Sequence, residues 1–152
     1  MNHPAILETK EALGETSLFA NPAGIVELCR YLKQTEKFNR LSSITAVDWV
    51  PSEPRFEVVY HLHSTDTNKR LRVKCRLGGG TPEAPPEIDS VTSVWRAANW
   101  YEREIFDMFG IGFRNHPNLI RILMPLDWEG YPLRKDYPVH GYKYSYSGDA
   151  AQ

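Results

Sequence analysis

Apolar and polar positions alternate in two stretches of the chain. Phe56, Val58, Tyr60 and Leu62 alternate with Arg55, Glu57, Val59 and His61, and Leu71, Val73, Cys75 and Leu77 alternate with Arg70, Arg72, Lys74 and Arg76. A period of two buries one face of a strand and wets the other, which is antiparallel-sheet behaviour. Leu41 to Val50, rich in β-branched residues and stopped by Pro51, predicts a strand before them. Ser64 to Lys69 predicts a hairpin loop, and Ile88 to Val91 one more short strand. The helical period occurs twice. Asn21-Pro22 supplies a cap and a first-turn proline, and Ile25, Leu28, Cys29 and Leu32 then recur at i, i+3, i+4 and i+7, a helix to about Lys33. A second helix starts at Thr92 or Ser93 and runs to Phe109, with Gly110 placed to end it. The first twenty residues are weakly patterned, with a short strand near Ser17-Leu18-Phe19. The expected fold is α+β: a mainly antiparallel sheet of about four to five strands with two helices packed on one face, followed by an extended proline-rich ribbon. Residues 1–113 form the α+β domain and residues 114–152 the ribbon, a docking segment.

The second helix carries two anomalies. Stepping by about 100° per residue, Trp95, Ala97, Ala98, Tyr101, Ile105, Phe106, Met108 and Phe109 cover one half of the wheel, with Glu102 inside it. A carboxylate among apolar side chains is costly unless it is paired or hydrogen-bonded. Glu102 is therefore expected to be a buried structural charge that meets backbone donors or an arginine of the ribbon, Arg121 or Arg134. The other half of the wheel carries Arg96, Asn99, Trp100, Arg103, Glu104 and Asp107. Trp100 is a large aromatic on that polar half, and tryptophan with arginine is a common interface composition.

The ribbon brings much apolar surface, Leu119, Ile120, Ile122, Leu123, Met124, Leu126, Trp128, Tyr131, Leu133 and Tyr137. Prolines 117, 125, 132 and 138 deny it a long helix or a central strand. Such a segment must lie on another surface, either its own domain or a partner. Arg114, Arg121, Arg134 and Lys135 against Asp127, Glu129 and Asp136 suit docking along an extended chain.

Composition narrows the function. A net charge of -1 gives no general attraction to nucleic acid or to an acidic membrane surface. No apolar run reaches the roughly 18 residues of a membrane span, and the start lacks the pattern of a signal peptide. Cys29 and Cys75 fall on apolar faces, which suits buried thiols in a reducing compartment, and neither belongs to a Cys-x-x-Cys pair that would hold zinc or an iron-sulfur cluster. The glycine-rich loop at Gly78 lacks the Gly-Lys-Ser/Thr ending of a phosphate-binding loop. His116 has no second histidine or cysteine at ligand spacing, so a structural role is expected of it. The four basic side chains from Arg70 to Arg76 form a solvated face or a docking patch. The end, Tyr142 to Gln152, is expected to fray in the isolated chain.

One long motif resembles a known family. Glu102-Arg103-Glu104-Ile-Phe-Asp107-Met-Phe-Gly110, His116-Pro117, Leu119-Ile-Arg121-Ile-Leu and the run Asp127-Trp-Glu-Gly-Tyr-Pro-Leu-Arg-Lys-Asp-Tyr-Pro138 resemble the NuoC-type subunit of proton-pumping NADH:quinone oxidoreductase. The resemblance is dense from Trp95 to Pro138 and looser upstream. It implies a peripheral-arm subunit on the cytoplasmic side of a bacterial inner membrane, docked on the NuoD-type subunit near the NuoB-type subunit. It also implies that the chain holds no redox cofactor, while the complex uses NADH, FMN, iron-sulfur clusters and quinone. No catalytic, cofactor or metal residue carries over. The expected partner interface is Trp100, Arg103, Glu104, Asp107, His116, Arg121, Trp128, Tyr131, Leu133, Arg134, Lys135, Asp136 and Tyr137. The short tail after Pro138 speaks against fusion to the NuoD-type subunit. Two other readings compete: a homologous subunit of a membrane-bound hydrogenase or other donor dehydrogenase, and a stand-alone hydrolase using Glu102, Glu104 or His116.

Overall fold

The computed structural model describes residues 1–79, 81 and 85–141. The expectation for Tyr142 to Gln152 lies outside the described residues, as does part of the Gly78 loop. Strands β1 (Ile6–Ala12), β2 (Glu15–Ala20), β3 (Arg40–Asp48), β4 (Phe56–His63) and β5 (Arg70–Leu77) form one sheet in the order β1-β2-β5-β4-β3. All neighbours are antiparallel except β2 and β5. Helix α1 (Ile25–Gln34) follows a 3-10 turn, Pro22–Gly24, capped by the Asn21 side chain, which accepts from the Ala23 N–H at 3.1 Å. Helix α2 (Ala98–Phe109) sits between two short parallel strands, β6 (Glu87–Asp89) and β7 (Gly112–Arg114). The expected α+β architecture is present.

The core is the apolar face of the central strands against the helices. Phe56, Val58, Tyr60 and Leu62 of β4 and Leu71, Val73, Cys75 and Leu77 of β5 are buried with Ile25, Leu28, Cys29 and Leu32 of α1 and Ala98, Ile105, Met108 and Phe109 of α2. Both cysteines are free and buried. Tyr101 donates to the Ser42 carbonyl at 2.9 Å and the Trp95 indole to the Asn39 carbonyl at 3.2 Å, which fixes α2 over β3.

Three local expectations are corrected. Residues 6–20 form a complete hairpin rather than one short strand, turned by Leu13 and Gly14 at φ 52° and 75°. Both central residues at positive φ match the twist of the flanking strands. The second helix begins at Ala98, not at Thr92 or Ser93, because the preceding residues close separate turns, with the Val94 and Trp95 N–H groups both on the Val91 carbonyl. Glu57 and Val59, assigned to the wet face of β4, are buried. Lys74 and Arg76 of the neighbouring strand reach the Glu57 carboxylate at 3.1 and 2.8 Å, so the second face is partly closed by its own charged side chains.

Candidate docking site: the ribbon at the end of helix α2

Helix α2 ends at Gly110, which holds φ 69° and donates its N–H to the Phe106 carbonyl at 2.9 Å. A helix leaves its last carbonyls without intrahelical partners. Here the ribbon supplies donors to four of them in succession. Arg121 Nη1 reaches the Asp107 carbonyl at 3.1 Å, the Leu133 N–H the Met108 carbonyl at 3.0 Å, and Arg134 the Phe109 and Gly110 carbonyls at 2.6 and 3.5 Å. Two guanidinium groups at a helix C-terminus also complement its negative dipole end. Tyr131 packs between them, its ring 5.4 Å from the Arg121 guanidinium and 4.6 Å from that of Arg134.

A β-carbon at position 110 would fall 2.4 Å from the Tyr131 ring, so glycine is required there twice, by conformation and by space. Gly110→Ala is expected to lower stability by well over the roughly 1–2 kcal/mol that a left-handed alanine costs. Gly14→Ala, also at positive φ but with nothing within 4 Å, serves as the backbone-only control. Equal denaturation midpoints for the two variants would show that the Tyr131 packing is not a constraint.

Asp107 is the centre of the arrangement. Its Oδ1 accepts from Arg121 Nη1 at 2.6 Å, and its Oδ2 accepts from three consecutive backbone N–H groups, Ile122, Leu123 and Met124, at 3.0, 2.7 and 2.9 Å. Successive N–H groups aimed at one point make an anion-binding concavity, and here a side chain of the same molecule fills it. Burial pushes the Asp107 carboxyl up, but the donors from Met124, Arg121, Leu123 and Ile122 outweigh it and leave it below its ordinary value. Arg121 continues to the Trp128 and Gly130 carbonyls at 3.1 and 3.0 Å, and Arg103 donates to the Ile120 and Arg121 carbonyls at 3.1 Å each.

The far end of the ribbon is tied to the β3–β4 connection. Arg55 grips Asp48 with two bonds, at 2.9 and 2.8 Å, and Asp136 with a third at 2.9 Å; the Lys135 N–H adds a bond to Asp48 at 2.9 Å. Burial raises the Asp48 carboxyl, but Arg55, Lys135 and Val50 together bring it down to about 2.

Glu102 is buried as expected, but it meets neither Arg121 nor Arg134. Both arginines are engaged at the end of the helix. Glu102 instead accepts from the Ser90 hydroxyl at 2.6 Å and the Val91 N–H at 2.8 Å, holding the segment after β6. Burial is the larger effect, and these two bonds reverse it only in part, so the carboxyl is raised to about 7. His116 lies 3.9 Å from it with its side chain equally enclosed. His116 Nδ1 accepts from the Asn118 N–H at 3.0 Å, so Nε2 carries the proton and donates to the Asn99 carbonyl at 3.2 Å. Burial, first, and the Arg103 charge lower its pKa. The side chains of Glu102 and His116 are thus closed to solvent, whereas Glu104 is exposed.

Of the residues expected at an interface, Asp107 is enclosed, and Arg103, His116, Arg121, Arg134 and Asp136 make bonds within the chain. Trp128, Tyr131 and Tyr137 are half-buried. Asp107 does not face solvent from the polar half of the helix, because the returning ribbon covers that side. Lys135 is exposed, as are Trp100 (60 %) and Leu133 (53 %). The sequence pattern does not separate out Leu123 and Leu126, which are 62 % and 81 % exposed. They flank Met124-Pro125, and the proline is the only signal of them in the sequence. Among the described residues no group of three His, Cys, Asp or Glu side chains is placed to hold a metal ion, and no helix is long and apolar enough to cross a membrane.

The chain is thus an α+β body whose C-terminal ribbon is anchored by charged side chains and exposes Leu123, Leu126 and Leu133. Residues 18–143 match the family described as respiratory-chain NADH dehydrogenase, 30 Kd subunit, and the chain belongs to that family. It is 49 % identical to the C-type subunit of the NADH-quinone oxidoreductase of Geobacter metallireducens over 138 residues, 90 % of this chain and 83 % of that one. It is 55 % identical to a C-type subunit of the NADH-quinone oxidoreductase of Rhizobium etli, the second of that type, over 124 residues, 80 % of this chain and 64 % of the relative. Among solved structures, a chain of the membrane-bound sulfane sulfur reductase, an archaeal respiratory membrane complex, superposes with a TM-score of 0.72 at 28 % identity, covering 90 % of this chain and 79 % of that one.

Proposed function

We propose that this chain is a cofactor-free structural subunit of the quinone-reducing arm of a proton-translocating NADH:quinone oxidoreductase. It has no active site of its own in this reading. It helps hold together a module that passes electrons from NADH, through FMN and iron-sulfur centres on other subunits, to quinone. The α+β body of residues 1–113 carries the segment 114–152, which docks on the NuoD-type subunit beside the NuoB-type subunit. The complex keeps the chain at the cytoplasmic face of the inner membrane. One observation carries this proposal. Leu123, Leu126 and Leu133 are exposed, and the Leu123 and Leu133 N–H groups are bonded to Asp107 and to the Met108 carbonyl. Exposed leucines on a segment anchored by such bonds suit a protein partner.

The variant Leu123→Ser/Leu126→Ser tests it. The side chains are exposed, so the melting temperature of the isolated chain is expected to move by no more than about 2 °C. Incorporation into the complex, read on native gels, is expected to fall at least tenfold. Full incorporation of the folded variant would refute the docking role. The sulfane sulfur reductase likeness favours a second reading, a homologous subunit of a complex with a different electron donor or acceptor. Mass spectrometry of the purified assembly separates the two by the presence or absence of an NADH-oxidising flavin subunit.

A further inference from the structure

The sheet face turned away from the helices carries a basic corner that the ribbon does not use. The register sets Arg40 of β3 opposite His63 of β4, and His63 opposite Arg70 of β5, a row of three basic side chains across three strands. The next row places His61 opposite Arg72. These residues and Glu15 line an open cleft of about 410 Å³. The surrounding cations have partners: Arg72 binds Glu15 at 2.6 Å, Lys74 and Arg76 share Glu57, and Lys10 lies 3.4 Å from Glu8. Arg40 and Arg70 are exposed, and no carboxylate of the described residues is paired with either. The chain as a whole has a net charge of -1, so this corner is a local excess of positive charge and not part of a general one.

We propose that this corner docks an acidic, extended polypeptide segment of a neighbouring subunit. Arg40 and Arg70 are separated by two strand spacings, roughly 9–10 Å, which about three residues of extended chain span. Carboxylates at positions i and i+3 of a polyproline-II segment, which share one face about 9 Å apart because that helix has three residues per turn, meet both guanidinium groups, each able to bind one in a two-point geometry. A nucleic-acid strand would find no Phe, Tyr or Trp side chain in the cleft on which to stack a base. A lipid surface would find no open apolar residue, because the leucines of the cleft, Leu62 and Leu71, are buried.

The test is a titration of the isotope-labelled full chain, followed by amide shifts, with the synthetic peptide Glu-Ala-Ala-Glu-Ala-Ala-Glu. Saturable shifts confined to residues 15–17, 40–43, 61–63 and 70–72 are expected. The variant Arg40→Ala/Arg70→Ala should weaken binding at least fivefold, while the Lys10→Ala control should leave it unchanged. Parallel titrations use sodium phosphate at matched ionic strength, a single-stranded oligonucleotide and vesicles with anionic headgroups. The proposal is overturned if the peptide gives no saturable shift, if both variants respond alike, or if any of the three other anions binds the corner more tightly than the peptide.

Discussion

Replacing Asp107 by Asn is expected to cost about 3–5 kcal/mol, the cost of removing one partner from a buried ion pair. The side chain is fully enclosed and accepts from one guanidinium and three backbone N–H groups. An amide presents one oxygen to these four donors and turns its NH2 group towards the rest. The buried part of Arg121 loses its counter-charge, and its bonds to the Trp128 and Gly130 carbonyls lose their reference point. For a domain of this size the melting temperature should drop by roughly 10 °C or more. The acid limb gives a second check. The Asp107 carboxyl is lowered in the folded state, so its stabilisation is complete above the unfolded carboxylate pKa of about 4 and is lost as pH falls through the folded value. Asp48, at about 2, behaves the same way. The Asn variant should therefore lose part of the wild-type acid sensitivity. A melting temperature within about 2 °C of wild type would mean that the concavity binds no charge.

Asp107 also shows where sequence reading ends. Period-two strands and the α1 stripe were legible because one face of each is covered by the sheet-helix core, and burial of one face is what periodicity records. The β1–β2 hairpin was not, because β1 exposes nearly every side chain and its turn is Leu13-Gly14 instead of an Asn-Gly signal. Asp107 lies on the arc of α2 opposite its apolar stripe, and only a segment fifteen residues further on makes that arc an interior. The ribbon's need for a surface was visible in its prolines. How that need divides was not: Arg121, Arg134 and Asp136 bond to the helix end and to Arg55, while Leu123, Leu126 and Leu133 stay exposed. Glu102 was recognisable as a buried carboxylate from its wheel position, but its partners, Ser90 and Val91, precede the helix and carry no charge that would have pointed to them.

Glu102 is expected to give the opposite pH response from its neighbour one and a half turns along the same helix. Its folded pKa of about 7 lies above the roughly 4.3 of an unfolded glutamate. Between these values the folded chain keeps a proton that the unfolded chain has released. Stability is therefore complete below about pH 4.3 and falls as pH rises to 7, by roughly 3 kcal/mol at 1.36 kcal/mol per unit. Glu102→Gln keeps the shape, can accept from the Val91 N–H and donate to the Ser90 hydroxyl oxygen, and cannot ionise. Relative to wild type it should gain about 3 kcal/mol between pH 4.5 and pH 8 in urea unfolding. Glu102→Ala, which leaves the buried Val91 N–H without its acceptor and Ser90 with only the Thr92 hydroxyl as a side-chain partner, should instead lose about 1–3 kcal/mol at pH 5. Parallel pH profiles for wild type and Glu102→Gln would mean that the carboxylate is ionised throughout and that Ser90 and Val91 hold a charge, not a neutral acid.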